Sequence, residues 1–333
     1  MDLIEYQLLK IEDNFIENGR YEEAIVRLKR LLNKYPTHAE IPLLLGETYH
    51  LLGVEYQKVN QHGLAIECFT KANEIHPRIN GLELRLMYSA KLMIKDEGLE
   101  KLSQYDIDEN TLYKIRSKYY YDTELYKRAI AELKKLIVIN PTPWPTYMFI
   151  AKNYQKIGDA EKAFNFYDKA LSLDSNELGE IIGSLIEKSF LQIKCNNFRD
   201  ASITLHRLLE IITEDIEQHL YSLDFIFNHD ECDAVIAICE QQIDRNPKNI
   251  HAILSKGIIF LLKRDLIQAK HTFSTAIFVS PKNPRSHFCF GVIFYLLEEP
   301  KKALKSVLSA CALDFTNNYY NTFYKHLTNN EFA

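Results

Sequence analysis

The side chains able to do covalent or metal chemistry are present in this chain but are not assembled into any familiar arrangement. Six cysteines (Cys68, Cys195, Cys232, Cys239, Cys289, Cys311) include no CxxC pair, and no Asn-x-Ser/Thr sequon without proline occurs. That usage predicts free thiols in a reducing, cytoplasmic setting. Cys68, Cys239 and Cys311 fall at helix-packing places, where a cysteine acts as a small core residue rather than a nucleophile. The histidines His50, His62, His206, His219, His229, His251, His271 and His287 form no ligand-like cluster. His219, His251 and His287 begin neighbouring segments in similar places, but solvated or capping roles are the default for them. No P-loop, GxSxG, HExxH or GxGxxG pattern occurs, so no catalytic residue, cofactor or metal is expected.

What remains is recognition chemistry: lysines interleaved with aromatic rings, and long apolar stripes. Of 333 residues, 40 are basic and 45 acidic, a formal net charge of -5 spread along the chain. Such a balance gives no polycation field for nucleic acid or for an anionic bilayer. The segment Met1 to Glu5 lacks the basic and apolar regions of a secretory signal. The longest fully apolar run, Phe288 to Leu297, reaches about half of the ~20 residues a membrane-crossing helix needs, so no membrane insertion is expected. Glycine and proline are few and regularly placed, which predicts many helices joined by short turns.

The placement is periodic. In Ile250 to Asn283 the markers are Gly257, Phe260, Ala269, Phe273, Ala276 and Pro281, and Gly291, Phe294, Ala303 and Ala310 follow 34 residues after their counterparts. Upstream, Trp144 to Glu177 carries Ala151, Tyr154, Gly158, Ala163, Tyr167 and Ala170, and Asn110 to Pro143 carries Tyr120, Tyr126, Ala129 and Pro141. Earlier units hold Phe15, Gly19, Tyr21, Ala24 and Pro36, then Tyr49, Gly53, Tyr56, Ala65, Phe69, Ala72 and Pro77. Trp144, the single tryptophan, sits in a proline-rich turn where it is expected to pack rather than to recognise a ligand.

These residues resemble the tetratricopeptide-repeat (TPR) signature: a small residue and an aromatic on a first helix, then Ala, aromatic, Ala and Pro on a second. The resemblance implies an all-α, right-handed superhelical α-solenoid of antiparallel helix pairs, with about eight to nine repeats and a C-terminal capping helix. Two units occupy 5–79, with a seven-residue insert, Ala39 to Leu45, expected to extend the helix after it. A degenerate helical unit occupies 80–109, six consecutive units 110–317, and a cap helix and tail 318–333. The units at Ile182 and Ile216 depart most from the pattern. Small residues such as Ala24, Ala65, Ala129, Ala163, Ala201, Ala269 and Ala303 let two helices approach, and large neighbours fill the gap.

In such proteins the first helices line a concave groove, and phase carries that face onto this chain. It begins with Lys114, Lys118, Tyr121, Asp122, Met148, Phe149 and Lys152, a mixed basic and aromatic surface suited to an acidic peptide. From Ile182 onward it turns apolar, with Ile186, Phe190, Ile193, Tyr221, Phe227, Leu254, Ile258, Phe288, Val292 and Tyr295. So large an apolar surface requires a cover. A partner helix, a second copy of the chain or tight curvature would each supply one, and a homodimer could form through this groove or the C-terminal helix. The function the resemblance implies is a non-catalytic scaffold or adaptor binding a protein or peptide in the groove. A peptide-sensing regulator, or a targeting subunit of a transferase or other complex, is the alternative. The Lys/Asn pattern of carboxylate-clamping TPRs is absent.

Overall fold

The computed structural model describes residues 3–139, 144–173, 178–213 and 229–331, and every regular element among them is helical. The chain divides into two compact units, Met1–Pro141 and Thr142–Ala333. In the first, α1 (Leu3–Ile11) runs on through a π-helical turn over Glu12–Ile16 and pairs with α2 (Tyr21–Lys34), and α3 (Glu40–Lys58) pairs with α4 (His62–Ile75). Helix α5 (Leu82–Glu97) is followed only by a 3-10 turn, Leu99–Gln104, before α6 (Glu109–Asp122) pairs with α7 (Tyr126–Ile139). In the second unit α8 (Trp144–Ile157) pairs with α9 (Ala160–Leu171), and α10 (Leu178–Lys194) with α11 (Phe198–Ile212). Then come α12 (His229–Arg245), the pair α13 (Ile250–Leu262) and α14 (Leu266–Val279), the pair α15 (Pro284–Leu296) and α16 (Pro300–Leu313), and a closing helix α17 (Asn318–Glu331). Both units are all-α stacks of antiparallel pairs.

Two local devices make each pair. The first is the small-for-large contact: Ala24, Ala65, Ala129, Ala163, Ala201, Ala269 and Ala303 are all 0% exposed. Gly53, Gly257 and Gly291 permit still closer approach, since a Cβ on them would lie 2.6, 2.5 and 2.5 Å from Phe69, Phe273 and Val307 respectively. The second is the turn between the helices. Gly19, Asn60, Glu124, Gly158, Asn196, Arg264 and Glu298 all adopt a left-handed φ between 58° and 86°. The amide three places beyond the first helix then returns to its last turn, as in Gln61 N to Tyr56 O (2.9 Å), Asp265 N to Phe260 O (2.9 Å) and Glu299 N to Phe294 O (2.9 Å). Asp108, Asp159, Asn197, Asn249, Asp265 and Asn283 cap the helices that follow them.

The apolar face from Ile182 onward, expected to need a cover, is covered from within the unit, because α11 does the work of two helices. Besides the stripe Ala201, Leu205, Leu208 and Ile212, it buries a second stripe, Ser202, His206 and Leu209. This second face meets the first helices of later pairs directly. Ser202 Oγ lies 2.8 Å from His251 Nδ1 on α13, and the His206 ring stands edge-on to Phe288 of α15 and Tyr320 of α17 at 5.6 and 5.7 Å. His206 Nε2 is 2.7 Å from the Tyr320 hydroxyl, and Asn317 Nδ2 donates to Glu210 at 3.0 Å. Phe190, Ile258 and Phe288 are consequently 3%, 1% and 0% exposed and belong to one continuous core.

Burial, with a smaller push from Arg285, drops the His206 imidazole to about 3. Burial also raises the Tyr320 hydroxyl and the Glu210 carboxyl above their usual ranges. The imidazole is therefore neutral, and its 3.4 Å approach to Glu210 is a polar contact rather than an ion pair.

This packing sets the stability of three variants. Gly257→Ala meets the buried Phe273 ring, so an overpacking cost of roughly 1–3 kcal/mol outweighs the ~1 kcal/mol gained in helix propensity, and the urea midpoint falls. Gly183→Ala, where a Cβ meets nothing within 4 Å, raises it instead. His206 binds a proton in the unfolded chain below about pH 6.5 but not in the folded one until about pH 3. Its contribution is complete above pH 6.5 and drains away as pH falls toward 3. The stability advantage of the wild type over His206→Gln, measured by thermal melts from pH 7.5 to 4.5, should shrink on the order of a few kcal/mol.

Candidate functional site

An apolar cleft of the N-terminal unit opens between α5 and α6. Its origin is local: α5 lacks a second α-helix, and the 3-10 turn that follows it buries Leu102 but leaves one side of α5 uncovered. Leu84, Tyr88, Lys91 and Lys95 succeed one another at the spacing of a single helical face. Leu84 and Tyr88 are 73% and 57% exposed, values that mark a surface rather than a core. With Met87, Leu92 and Ile115 they wall a cleft of about 610 Å³.

Charge at the rim is one-sided. Lys118 and Lys91 both reach Asp122, at 3.0 and 3.1 Å, and Lys95 makes no ion pair among the described residues. Burial works against ionisation of Asp122, but its hydrogen bonds from Lys118 and Lys91 outweigh that and hold its carboxyl below the usual range. Three lysines thus face one carboxylate, which leaves a positive rim over an apolar floor. Such a cleft can take an apolar side chain flanked by acidic groups.

The residues expected from phase are distributed as follows. Lys118 lies at the rim of this cleft and over the Tyr121 ring at 5.2 Å, while Tyr121 stacks edge-on with Tyr126 at 5.6 Å. Lys114 is tied to Glu83 at 2.7 Å, beside the cleft. In the C-terminal unit Phe149 and Lys152 line a smaller cleft of about 320 Å³ with Met148 and Trp144, and Lys152 pairs with Glu187 at 2.7 Å. Trp144 packs there and donates from Nε1 to Ser184 Oγ at 3.0 Å. Phe190, Ile258 and Phe288 are core residues, unavailable to any ligand. Tyr295 is half-buried against Phe323 and His326. Tyr221 and Phe227 lie outside the described residues. Leu84, Tyr88, Lys91 and Lys95 were missed by phase, because 80–109 fits no repeat. The one-face spacing on a helix without a partner was the available signal.

Cysteine and histidine chemistry is muted. Burial pushes the thiols of Cys68, Cys232 and Cys239 up to about 11, 12 and 12, which disfavours the thiolate. His251 and His287 have separate partners, Ser202 Oγ and the Pro281 carbonyl at 2.7 Å. Among the described residues no group of three His, Cys, Asp or Glu is placed to hold a metal ion, and no helix is long and apolar enough to cross a membrane.

Comparison with known proteins agrees with the helix pairs. Tetratricopeptide-repeat models match residues 46–78 and 145–177, and a further one matches 13–38. A TPR repeat-containing protein of Borreliella burgdorferi is 31% identical over 147 residues, 39% of this chain and 63% of the relative, so the chain spans less than two thirds of that relative's length. Similar solved structures include a tetratricopeptide repeat protein from Parabacteroides merdae (13% identity, 97% of this chain and 98% of that one, TM-score 0.30). Others are YrrB, a TPR protein with an unusual peptide-binding site (16%, 58% and 97%, 0.28), and the TPR2AB-domain:pHSP90 complex of yeast Sti1 (15%, 85% and 98%, 0.28). Scores this low carry no weight for the assignment, which rests on the repeat matches and on the paired helices, their buried alanines and their shared turns. On those grounds the matched segments are tetratricopeptide repeats.

Proposed function

We propose that this protein is a non-catalytic interaction module that holds a segment of a partner protein along the α5–α6 cleft. The observation that carries the reading is the pair Leu84 and Tyr88, strongly exposed over an apolar floor beneath a rim of three lysines and one aspartate. An apolar side chain seated there contributes roughly 1.5–3 kcal/mol. Acidic neighbours facing Lys91, Lys95 and Lys118 add at most about 1 kcal/mol each at an exposed rim, and act mainly on encounter rate and selectivity. The ligand this favours is a helix or extended peptide with a large apolar anchor flanked by Asp or Glu. Six free cysteines suit a reducing, cytoplasmic setting.

The inner face of the C-terminal unit is left out of this reading, since α11 already fills it. A homodimer through that face is left out of it for the same reason. An adaptor, a peptide-sensing regulator and a targeting subunit would all use the cleft in this way.

Peptides selected from a display library on the wild-type protein should carry the apolar-plus-acidic signature. Their affinity, measured by calorimetry, should fall at least tenfold in Leu84→Glu, on the order of 1.4 kcal/mol. Equal binding by Leu84→Glu and wild type would refute the cleft. Lys118→Glu should slow association and flatten its salt dependence while leaving dissociation nearly unchanged, as stopped-flow fluorescence can read.

A further inference from the structure

The overall charge of -5 conceals a local surface of opposite character in the C-terminal unit. Helices α14 and α16 are the second helices of successive pairs, and neither contains an Asp or a Glu. Their outward residues are in register at the thirty-four-residue step: Ile267, His271, Ser274 and Phe278 on one, Lys301, Lys305, Leu308 and Ala312 on the other, all exposed. Ile267, Phe278 and Leu308 are 78%, 87% and 51% exposed, and Phe315, just beyond α16, is 80% exposed. A phenylalanine this exposed is uncommon, and two of them in the last two pairs form a feature that the core does not use.

The lysines complete the pattern. Glu299 holds Lys270 and Lys302, whereas Lys301 and Lys305 make no ion pair among the described residues. On the neighbouring α12, Asp230, Glu231, Asp233, Glu240 and Asp244 are acidic, so the basic apolar area is confined to the last two pairs. A depression of about 550 Å³ lies beside Ile267, and neither Phe278 nor Phe315 lines it. Projecting rings toward one end of these helices, with unpaired lysines toward the other, suit a surface that supplies its own depth. A lipid headgroup layer does so, taking apolar side chains about 5–10 Å into its acyl boundary while anionic lipids face the cations.

We infer that the outer faces of α14 and α16 attach the protein peripherally to an anionic membrane surface. Two phenylalanines and a few lysines give a weak hold, so the attachment is reversible and salt-sensitive, and it leaves the α5–α6 cleft to its separate task.

The test is co-sedimentation of the full chain with phosphatidylcholine vesicles, with and without phosphatidylserine, at low and physiological salt. Expected is binding to the phosphatidylserine vesicles alone, reduced about tenfold both in Phe278→Ser/Phe315→Ser and in Lys301→Glu/Lys305→Glu. All four positions are exposed, and circular dichroism melts check that each variant folds. Three results overturn the inference. One is no sedimentation with phosphatidylserine vesicles at low salt. Another is sedimentation that the phenylalanine variant leaves unchanged, which means charge adsorption alone. The third is concentration-dependent self-association by light scattering that the same variant abolishes while vesicles remain unbound, which assigns the surface to a second copy.

Discussion

Every pair of helices in this protein rests on one steric exchange, a residue of almost no volume on one helix set against a bulky side chain on the other. Gly257 against Phe273 and Gly53 against Phe69 show it at its closest, and the fully buried alanines of the second helices show it throughout. Because close packing leaves no slack for a methyl group at such a contact, the exchange fixes how near the helices come and hence where the next pair can stack. The turns then need no particular residue. Asn, Glu and Arg all take the left-handed turn conformation that glycine takes at Gly19 and Gly158, at a cost the pair contacts absorb.

That division explains what could be read from the chain and what could not. Helix pairs and their phase were legible because Gly257, Ala269, Phe273 and their counterparts recur at fixed spacing, and spacing is what a one-dimensional string records. Left-handed turns at Arg264 and Glu298 were not legible, since these residues carry no local preference for such backbone. The apolar face from Ile182 onward was legible as a stripe, yet what packs on it was hidden. Residues Ser202 and His206 contact partners tens of residues further on, and only the folded chain brings them together. The cleft was half legible. Lys118 came from phase, whereas Leu84, Tyr88, Lys91 and Lys95 sit on the one stretch that breaks the repeat.

The break is informative in itself. A regular array covers each helix with the next, so recognition surfaces arise from whatever side chains are left over on the inner wall. Here the loss of one second helix after α5 exposes apolar surface that the pattern would otherwise have consumed. Opposite conditions hold in the C-terminal unit, where the chain spends its inner wall on its own helix α11 and keeps only its outer layer free.

Helix α11 also changes how that unit comes apart. In a plain array each pair touches only its neighbours, so the ends can fray one hairpin at a time while the middle stays intact. Here His206 and Tyr320 are joined across 114 residues of chain, and Glu210 and Asn317 across 107. Peeling away α17 uncovers the buried side of α11, and with it the walls of α13 and α15. A protease or a pulling force acting on α17 therefore has to loosen α11, α13 and α15 together with it.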